Sequence, residues 1–395
     1  MSQYVIRAAR MFDGAVWSGP CALHIEHGRI AAVTGVDDMD PYLSATELVD
    51  YGPDSCLLPG LIDTHVHLAF DAGEDPVTAL GETDDDELLR RMRGTARRAL
   101  DAGVTSVRDL GDRGYLAVAL AREFERSPGQ GPHIVSAGPP LTPVGGHCHF
   151  FGGETEGTEA LRAAVRERHA RGCGVVKIMA SGGNMTPGSM APHASQYTVD
   201  ELRTVVEEAH RLGLRVAAHA HGNRAILDAV EAGVDTLEHV SFLTPEGCDP
   251  SDEVLTAIAG SAVFASVTLG VDPKAPGTPP TAIAAQLGRI HAGYGELHAR
   301  GARLVVGSDA GIAPFKPHDV LPHAVAELRG LGLSAGAALS AVTARAAEAS
   351  GLGDRKGRIR AGYDADLLVV EGDPALDAAA LLNVAGVFRA GVRVR

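Results

Sequence analysis

The sequence predicts an α/β protein, a (β/α)₈ TIM barrel with a small β-sandwich domain formed from the N- and C-terminal segments. Eight strand-like runs alternate with helical patterns through the middle of the chain, whereas both ends consist of short β-rich runs. No G-x-G-x-x-G turn follows the first of the eight runs, which disfavours a doubly wound open sheet. The predicted division is 1–56 and 351–395 for the sandwich and 57–350 for the barrel.

The two ends of the chain carry the sandwich prediction. Runs rich in β-formers, among them YVIRAARMF and CALHIEHGRIAAV, occupy the first 55 residues and are separated by Gly, Asp and Pro. These runs are typical of a small antiparallel sheet. Residues 357–374 and 384–395 show the same pattern, so we expect the two termini to form one domain.

The middle of the chain carries the barrel prediction. Its clearest helix is DELRTVVEEAHRLG (200–213), where Thr198 and Glu201 have capping-box spacing and Gly213 is placed to end the helix. The eight strand-like runs cover residues 61–68, 104–111, 133–138, 175–182, 214–221, 234–240, 262–269 and 303–310.

Composition and charge narrow the range of partners. The formal net charge of −15 argues against nucleic acid or an anionic membrane as the main partner. The N-terminus lacks a secretory apolar region, and no stretch reaches the ~18 apolar residues of a membrane helix. Five scattered cysteines without C-x-x-C are typical of reduced cytosolic thiols. The net charge says little about a small-molecule substrate. We therefore expect a soluble cytoplasmic protein, and assembly into a homo-oligomer is left open.

Polar residues collect at the ends of the predicted strands. In LLPGLIDTHVHLAF, His65 and His67 share one face of an apolar strand, and two buried imidazoles need a partner such as a metal ion. Each of the other polar strand ends alone has a structural explanation, such as an ion pair or a satisfied core histidine. Because catalytic groups gather at the carboxyl ends of barrel strands, their coincidence favours one metal centre. These other strand-end residues are Lys177, His219, His221, Glu238, His239 and Asp309.

An ordered set of motifs resembles the amidohydrolase superfamily, in the branch related to imidazolonepropionases and to Xaa-Pro or Xaa-Arg dipeptidases. The motifs are LLPGLIDTHVHL, VVKIMASGG, VAAHAHG, GVDTLEHV, VVGSDAG and GRIRAGYDADLLVVEGDP, and they span residues 57–374. The resemblance implies a barrel with a metal centre and a β-sandwich made from both termini. It further implies that His65, His67 and Asp309 bind the more buried of two metal ions.

The same resemblance implies that His219 and His239 bind the second ion and that Lys177 bridges the two ions as a carbamate. The lysine assignment has a physical basis, because an ammonium has three donors and no acceptor. Reaction with carbon dioxide turns it into an anion with two oxygens, one for each ion. Nitrogen and oxygen ligands suit Zn²⁺, with Mn²⁺ or Co²⁺ as alternatives.

Two neighbouring positions refine these expectations. His219 and His221 face the same way on a strand, so either could be the ligand. His219 is favoured because the family's metal histidine falls there, and His221 would then face the substrate. Related deaminases place a glutamate three residues after this histidine. Gly222 stands there instead, which counts against deamination.

The expected reaction is hydrolysis of a C–N amide bond, in a dipeptide or N-acyl amino acid, by a metal-bridging hydroxide. Asp309 would accept the proton and deliver it to the leaving nitrogen. His147 and His149, in the glycine-rich loop 138–154, are candidates for substrate contacts. The alternatives are hydrolysis of a lactam or carbamate, mononuclear deamination, and a catalytically silent barrel retained for binding. The sequence contains no G-x-S-x-G motif, so a serine hydrolase is not expected.

Overall fold

The structure is a computed structural model that describes residues 3–36, 47–279 and 281–395. The N-terminal strands are β1 (Tyr4–Ala8), β2 (Arg10–Phe12), β3 (Trp17–Ser18), β4 (Cys21–Glu26), β5 (Arg29–Gly35), β6 (Glu47–Asp50) and β7 (Ser55–Pro59). The central strands are β8 (Leu61–Val66), β9 (Val104–Asp109), β10 (His133–Ser136), β11 (Val175–Met179), β12 (Arg215–Gly222), β13 (Thr236–Thr244), β14 (Gly247–Cys248), β15 (Phe264–Thr268) and β16 (Arg303–Gly307). The C-terminal strands are β17 (Leu367–Glu371), β18 (Val384–Arg389) and β19 (Val392–Arg393).

Helices follow most of the central strands. They are α1 (Pro76–Gly81), α2 (Asp85–Asp101), α3 (Leu116–Arg126), α4 (Thr158–Arg171), α5 (Val199–Arg211), α6 (Asn223–Ala232), α7 (Asp252–Ala259), α8 (Thr281–Ala284), α9 (Leu287–Ala299), α10 (Leu321–Gly330), α11 (Ala335–Ala341) and α12 (Ala344–Ala349). Short 3₁₀ turns lie at Pro128–Gln130, His149–Phe151 and Ala378–Leu382. Among the described residues, no helix is long and apolar enough to cross a lipid bilayer.

Helix α5 shows how the sequence specifies an element locally. The Thr198 side chain accepts from the backbone N–H of Glu201, and the Glu201 side chain accepts from the Thr198 backbone, so the predicted capping box is present. The apolar stripe that includes Leu202 and Val205 is buried. The chain leaves the helix through Gly213 at φ +74, a left-handed conformation that glycine adopts without steric cost.

The eight predicted runs each contain a strand, and their order in space follows their order in the chain. Strands β8, β9 and β10 form one parallel sheet, and β11, β12, β13, β15 and β16 form another. Parallel bridges between Val66 and Ala310 and between Leu141 and Ile178 connect the segments at the edges of these sheets. Because the strands are parallel, their carboxyl ends all face one side.

The ends of the chain combine in two further sheets. One contains β5, β4, β1 and β6, and the other joins β19, β18 and β17 from the C-terminus to β7, β2 and β3. Their apolar faces share a core that includes Ile6, Leu57 and Phe388. The expectation of purely antiparallel pairing was wrong, because β1 pairs parallel with β6 and β2 parallel with β7. The residues of a β-strand indicate which of its faces is apolar, but they do not indicate whether the neighbouring strand runs parallel or antiparallel to it.

The predicted boundary at 56/57 lies inside β7, which pairs with β17, and β8 begins directly afterwards. All five cysteines lie within the described ranges, where each is a buried free thiol.

Candidate metal centre

Three predicted ligands converge at the carboxyl ends of β8 and β16. His65 and His67 approach each other with their Nε2 atoms 3.3 Å apart. Oδ1 of Asp309 lies 3.6 Å from Nε2 of His65 and 3.4 Å from Nε2 of His67. The ligand atoms of this group lie within 4.8 Å of one another, and all three residues are buried.

Buried polar contacts fix the strand ends that carry this first group. Asp63 accepts hydrogen bonds from the backbone amides of His65, at 3.2 Å, and Ser308, at 2.9 Å. One carboxylate therefore ties the end of β8 to the segment that precedes Asp309. Burial raises the pKa of Asp63 to about 6, against the lowering effect of its hydrogen bonds from Ser308 and His65. Asp309 itself has φ +59, a left-handed conformation that Asp adopts more readily than most residues.

A second group lies at the ends of β12 and β13. The ligand atoms of His219, His221 and His239 lie within 4.8 Å of one another. Nδ1 of His239 lies 2.9 Å from Oγ1 of Thr268, and Nδ1 of His221 lies 2.8 Å from Oγ of Ser241. In both rings, Nε2 is therefore the nitrogen that remains available to bind a metal ion. The two groups are adjacent, since the ring centroids of His65 and His239 are 5.0 Å apart.

The end of β13 departs from strand geometry where it reaches the site. His239 has φ +71, and Val240 and Phe242 also have positive φ values. In a regular strand, consecutive side chains point to opposite faces. Here both Glu238 and His239 approach His65, because the backbone turns between them. Strained backbone of this kind concentrates at functional sites.

Lys177 on β11 is buried, and its Nζ has no hydrogen-bond partner among the described residues. Burial lowers the pKa of Lys177 to about 8, although the charges of Glu238 and Asp309 act in the opposite direction. Burying a charged amine without a partner is costly, so this environment shifts Lys177 towards the neutral amine.

Burial favours the neutral form of four histidines in the two groups, His65, His219, His221 and His239. Burial lowers the pKa of His65 to about 4 and that of His221 to about 4, and it holds the pKa values of His219 and His239 well below the ordinary value. Neutral imidazole is the form that binds metals. Burial alone would raise the pKa of Asp309, but His65 and His67 outweigh it and keep the carboxylate ionised.

The loop after β10 brings one of its two candidate histidines to the site. The ring of His147 lies 4.7 Å from that of His219, and its Nδ1 lies 3.2 Å from Oγ1 of Thr186. Burial, reinforced by the neighbouring His221, lowers the pKa of His147 to about 3. His149 is half-buried and has a ring contact with Phe150 at 6.3 Å. Substrate contact by either residue stays a prediction.

The sequence analysis missed a buried arginine and the partner that it selects. Arg108 on β9 is fully buried and donates from Nη2 to Oε1 of Glu238 at 2.7 Å. The sequence analysis includes Glu238 among the strand-end residues of metal-binding type, but its carboxylate accepts a hydrogen bond from Arg108. The signal was an arginine within the apolar run VTSVRDLG, because an arginine in a buried strand requires an anionic or carbonyl partner.

The donor set fits divalent metal ions. Two groups each offer three ligand atoms, one group with a carboxylate and one with imidazoles only. The charge of Asp309, in the first group, acts on the buried Lys177, whose Nζ has no hydrogen-bond partner among the described residues. Neutral histidines and an ionised aspartate are the protonation states that coordination requires. Nitrogen and oxygen donors in these numbers suit Zn²⁺, Mn²⁺ or Co²⁺.

Comparison with known proteins gives a consistent set of relatives. The sequence profile of the amidohydrolase family matches residues 56–394. Ochratoxinase from Aspergillus niger is 30% identical over 366 residues, which cover 85% of this chain and 74% of that protein. Imidazolonepropionase from Symbiobacterium thermophilum is 27% identical over 405 residues, covering 92% and 86% of the two chains. A solved prolidase complexed with N-methylphosphonate-L-proline superposes with a TM-score of 0.83 at 27% identity and full coverage of both chains.

Proposed function

Because this chain belongs to the amidohydrolase family, as its sequence motifs predicted, we propose that it is a metal-dependent hydrolase that cleaves a C–N amide bond of a small molecule. Its relatives also include the predicted branch. The observation that carries the proposal is the pair of adjacent donor groups at the strand ends. We further propose that the eight parallel strands close into a barrel, which the bridges at the two sheet edges support.

The proposed ligands are those that the family resemblance implies, and the two donor groups support them. His65, His67 and Asp309 would hold the more buried ion, His219 and His239 would hold the second, and Lys177, as a carbamate, would be a ligand to both. The buried Nζ of Lys177, which has no hydrogen-bond partner among the described residues, supports the carbamate, because carbon dioxide reacts with a neutral amine. Zn²⁺ is the proposed metal, with Mn²⁺ and Co²⁺ as alternatives.

The chain's own residues would bind, orient and move protons around that centre. Bound divalent ions would polarise the scissile carbonyl and lower the pKa of water from ~15.7 towards ~7. Asp309 would accept the proton of the attacking water and deliver it to the leaving nitrogen. Its buried carboxylate lies beside two histidines and is ionised, as a proton acceptor must be.

Substrate contacts would come from residues next to the second histidine group. His147 and His221 flank the ring of His219, with centroid distances of 4.7 Å and 4.6 Å. We propose that one of them donates a hydrogen bond to the substrate carbonyl or carboxylate; His149 is the alternative on the same loop. A dipeptide or an N-acyl amino acid is the proposed substrate class. The names of two relatives support it, since one is a prolidase and another acts on ochratoxin.

Deamination is disfavoured by the space around Gly222. A Cβ atom at this position would lie 2.3 Å from the carbonyl oxygen of His193, which leaves no room for a side chain. The glutamate that related deaminases carry three residues after the metal histidine therefore has no counterpart here.

Two further proposals concern the whole chain. We propose that the two end sheets form a single β-sandwich domain, supported by their shared core. We also propose a cytoplasmic location, which the five free thiols support because reducing compartments keep cysteines unpaired.

One experiment tests the proposed function. Protein prepared with Zn²⁺, Mn²⁺ or Co²⁺ and bicarbonate is incubated with Xaa-Pro dipeptides, other dipeptides, N-acyl amino acids, lactams and carbamates. We expect release of a free amino acid from one of the first three classes, without ammonia, and two metal ions per chain. Ammonia as the product would favour the mononuclear deaminase, and full activity with a single ion would contradict the two-metal site. Protein that binds no metal would contradict the proposal.

A further inference from the structure

His65 has a carboxylate on the side opposite its predicted metal. Its Nε2 faces Nε2 of His67 and Oδ1 of Asp309, whereas its Nδ1 lies 3.2 Å from Oε2 of Glu238. The ring is not aligned for a good hydrogen bond to Glu238, and within the described part of the chain neither atom has a hydrogen-bond partner elsewhere. A buried donor and a buried acceptor that face each other favour forming that bond, because leaving both unpaired is costly.

Glu238 is held so that only one of its oxygens is available to His65. Oε1 accepts from Nη2 of Arg108 at 2.7 Å and from Oγ1 of Thr236 at 2.7 Å. Oε2 is the remaining oxygen, and it is the atom that faces His65. The carboxylate therefore cannot turn away from the histidine without breaking two buried hydrogen bonds.

Arg108 is fixed in turn by the strand that carries His65. Its Nε donates to the carbonyl of Thr64, the residue before His65, at 2.6 Å, and its Nη1 donates to Thr236 at 3.1 Å. The side chains of Arg108 and Glu238 are only 1% and 0% exposed. A buried ion pair of this kind adds little stability compared with apolar residues of similar volume, so stability alone does not explain it.

We propose that Glu238, held by Arg108, is a positioning residue that accepts a hydrogen bond from Nδ1 of His65 and presents Nε2 of that ring to a metal ion. The bond fixes the tautomer, because a proton on Nδ1 leaves the lone pair on Nε2. Carboxylate partners of this kind orient metal-binding histidines and raise their basicity. The inference rests on the proposed function, since it requires His65 to bind a metal.

The test is the rate of metal release in Glu238→Gln. Zn²⁺-loaded protein is mixed with excess chromogenic chelator, and release of each ion is followed by absorbance. Gln keeps the size of the side chain but carries no charge and can turn its amide NH₂ towards His65. We expect one of the two ions to leave about 10–100-fold faster than from the wild type, with the other ion little changed.

Glu208→Gln is the matched control. Glu208 is a buried carboxylate whose Oε1 accepts from Arg166 at 2.6 Å and from Arg211 at 2.6 Å, between helices α4 and α5. The same substitution there removes a carboxylate that pairs with two arginines outside the metal centre. We expect a loss of melting temperature in both variants but faster metal release only in Glu238→Gln. Equal acceleration in both would assign Glu238 a structural role and overturn the proposal.

A second variant decides the case if Glu238→Gln does not fold. Arg108→Lys keeps the buried positive charge but replaces the planar fork with a single ammonium, so Glu238 is held less firmly. We expect several-fold faster release of the same ion, and an unchanged rate overturns the proposal. Wild-type protein that binds none of Zn²⁺, Mn²⁺ and Co²⁺ would overturn the proposed function as well. Wild-type protein with two ions and unchanged release in folded Glu238→Gln overturns this inference alone.

Discussion

The backbone amide of Asp309 donates a 2.8 Å hydrogen bond to the carbonyl of His65, although the two residues lie far apart in the sequence. This bond joins the end of β16 to the end of β8. It brings the carboxylate of Asp309 within 3.6 Å of His65 and 3.4 Å of His67. The bond holds Asp309 beside both histidines, as its proposed roles of metal ligand and proton acceptor require.

The first prediction is that Asp309→Asn lowers kcat by about 10²–10⁴-fold while the protein stays folded. Asn keeps the size and one oxygen, and it tolerates the φ of +59 at this position, but it cannot accept a proton. We would measure kcat, metal content and melting temperature. The control is Asp319→Asn, since Asp319 pairs with Arg98 outside the donor groups. Normal kcat in Asp309→Asn would leave the proposed mechanism without its base.

The second prediction is that Lys177→Ala loses the metal pair and the activity. Without a bridging anion, two cations would lie close together with less compensating charge. Metal analysis and turnover measure the loss. In the wild type, ¹³C NMR after growth in labelled bicarbonate should show one carbamate carbon. Lys274→Ala, at an exposed lysine, serves as the control and should retain both ions. A Lys177→Ala variant with two ions and normal turnover would contradict the bridging role.

The third prediction separates His219 from His221. If His219 is the ligand, His219→Ala should retain about one metal ion per chain, whereas His221→Ala should retain two and show a reduced kcat/KM. The geometry motivates the comparison, because the rings lie 4.6 Å apart and both belong to the same donor group. Elemental analysis of the two purified variants gives the answer. The reverse pattern, with one ion in His221→Ala and two in His219→Ala, would exchange their roles.

The fourth prediction concerns acid stability where the central sheets meet the C-terminal strands. Hydrogen bonding from His133, followed by the charge of Arg389, outweighs burial and lowers the pKa of Glu125 from 4.5 to about 2. A carboxylate whose pKa is lower in the folded state stabilises the protein above pH 4.5, and this stabilisation is lost as the pH falls towards 2. Because the Glu125 side chain is 48% exposed, we expect a contribution of at most about 1 kcal/mol at neutral pH.

The measurement is the melting temperature of Glu125→Gln against the wild type from pH 7 to pH 3. We expect the wild type to melt higher at neutral pH and the difference to narrow below pH 4.5 as Glu125 becomes protonated. Glu159→Gln, at a side chain that is 92% exposed, should show no such narrowing. A constant difference at all pH values would mean that the ion pair does not account for the stabilisation.

The strands and the best helix could be predicted because their signals are local. Each of the eight runs contains a strand, and α5 has the capping box expected from Thr198 and Glu201. Strand direction at the chain ends could not be predicted, since β1 and β6 pair in parallel although their sequences read only as β-formers. Pairing depends on which distant segment lies alongside, and local periodicity contains no information about that.

The candidate site also has parts that the sequence predicts and parts that it does not. The candidate ligands were identified from residue type and their position at strand ends, because parallel strands bring all their carboxyl ends to one side. The contact between Arg108 and Glu238 was missed, because it joins residues 130 positions apart on different strands. Strand alternation would also place Glu238 and His239 on opposite faces, and only the positive φ of His239 brings both to His65.

The sequence by itself therefore determined the order of the strands, the family and the residue types gathered at one end of the sheet. It did so because hydrophobic periodicity and ordered motifs are written along the chain. Only the tertiary structure decided which nitrogen of His65 faces the other donors, which carboxylate lies behind it, and that Lys177 has no partner among the described residues. Those properties depend on distances of about 3 Å between side chains from different strands, and such distances exist only once the chain has folded.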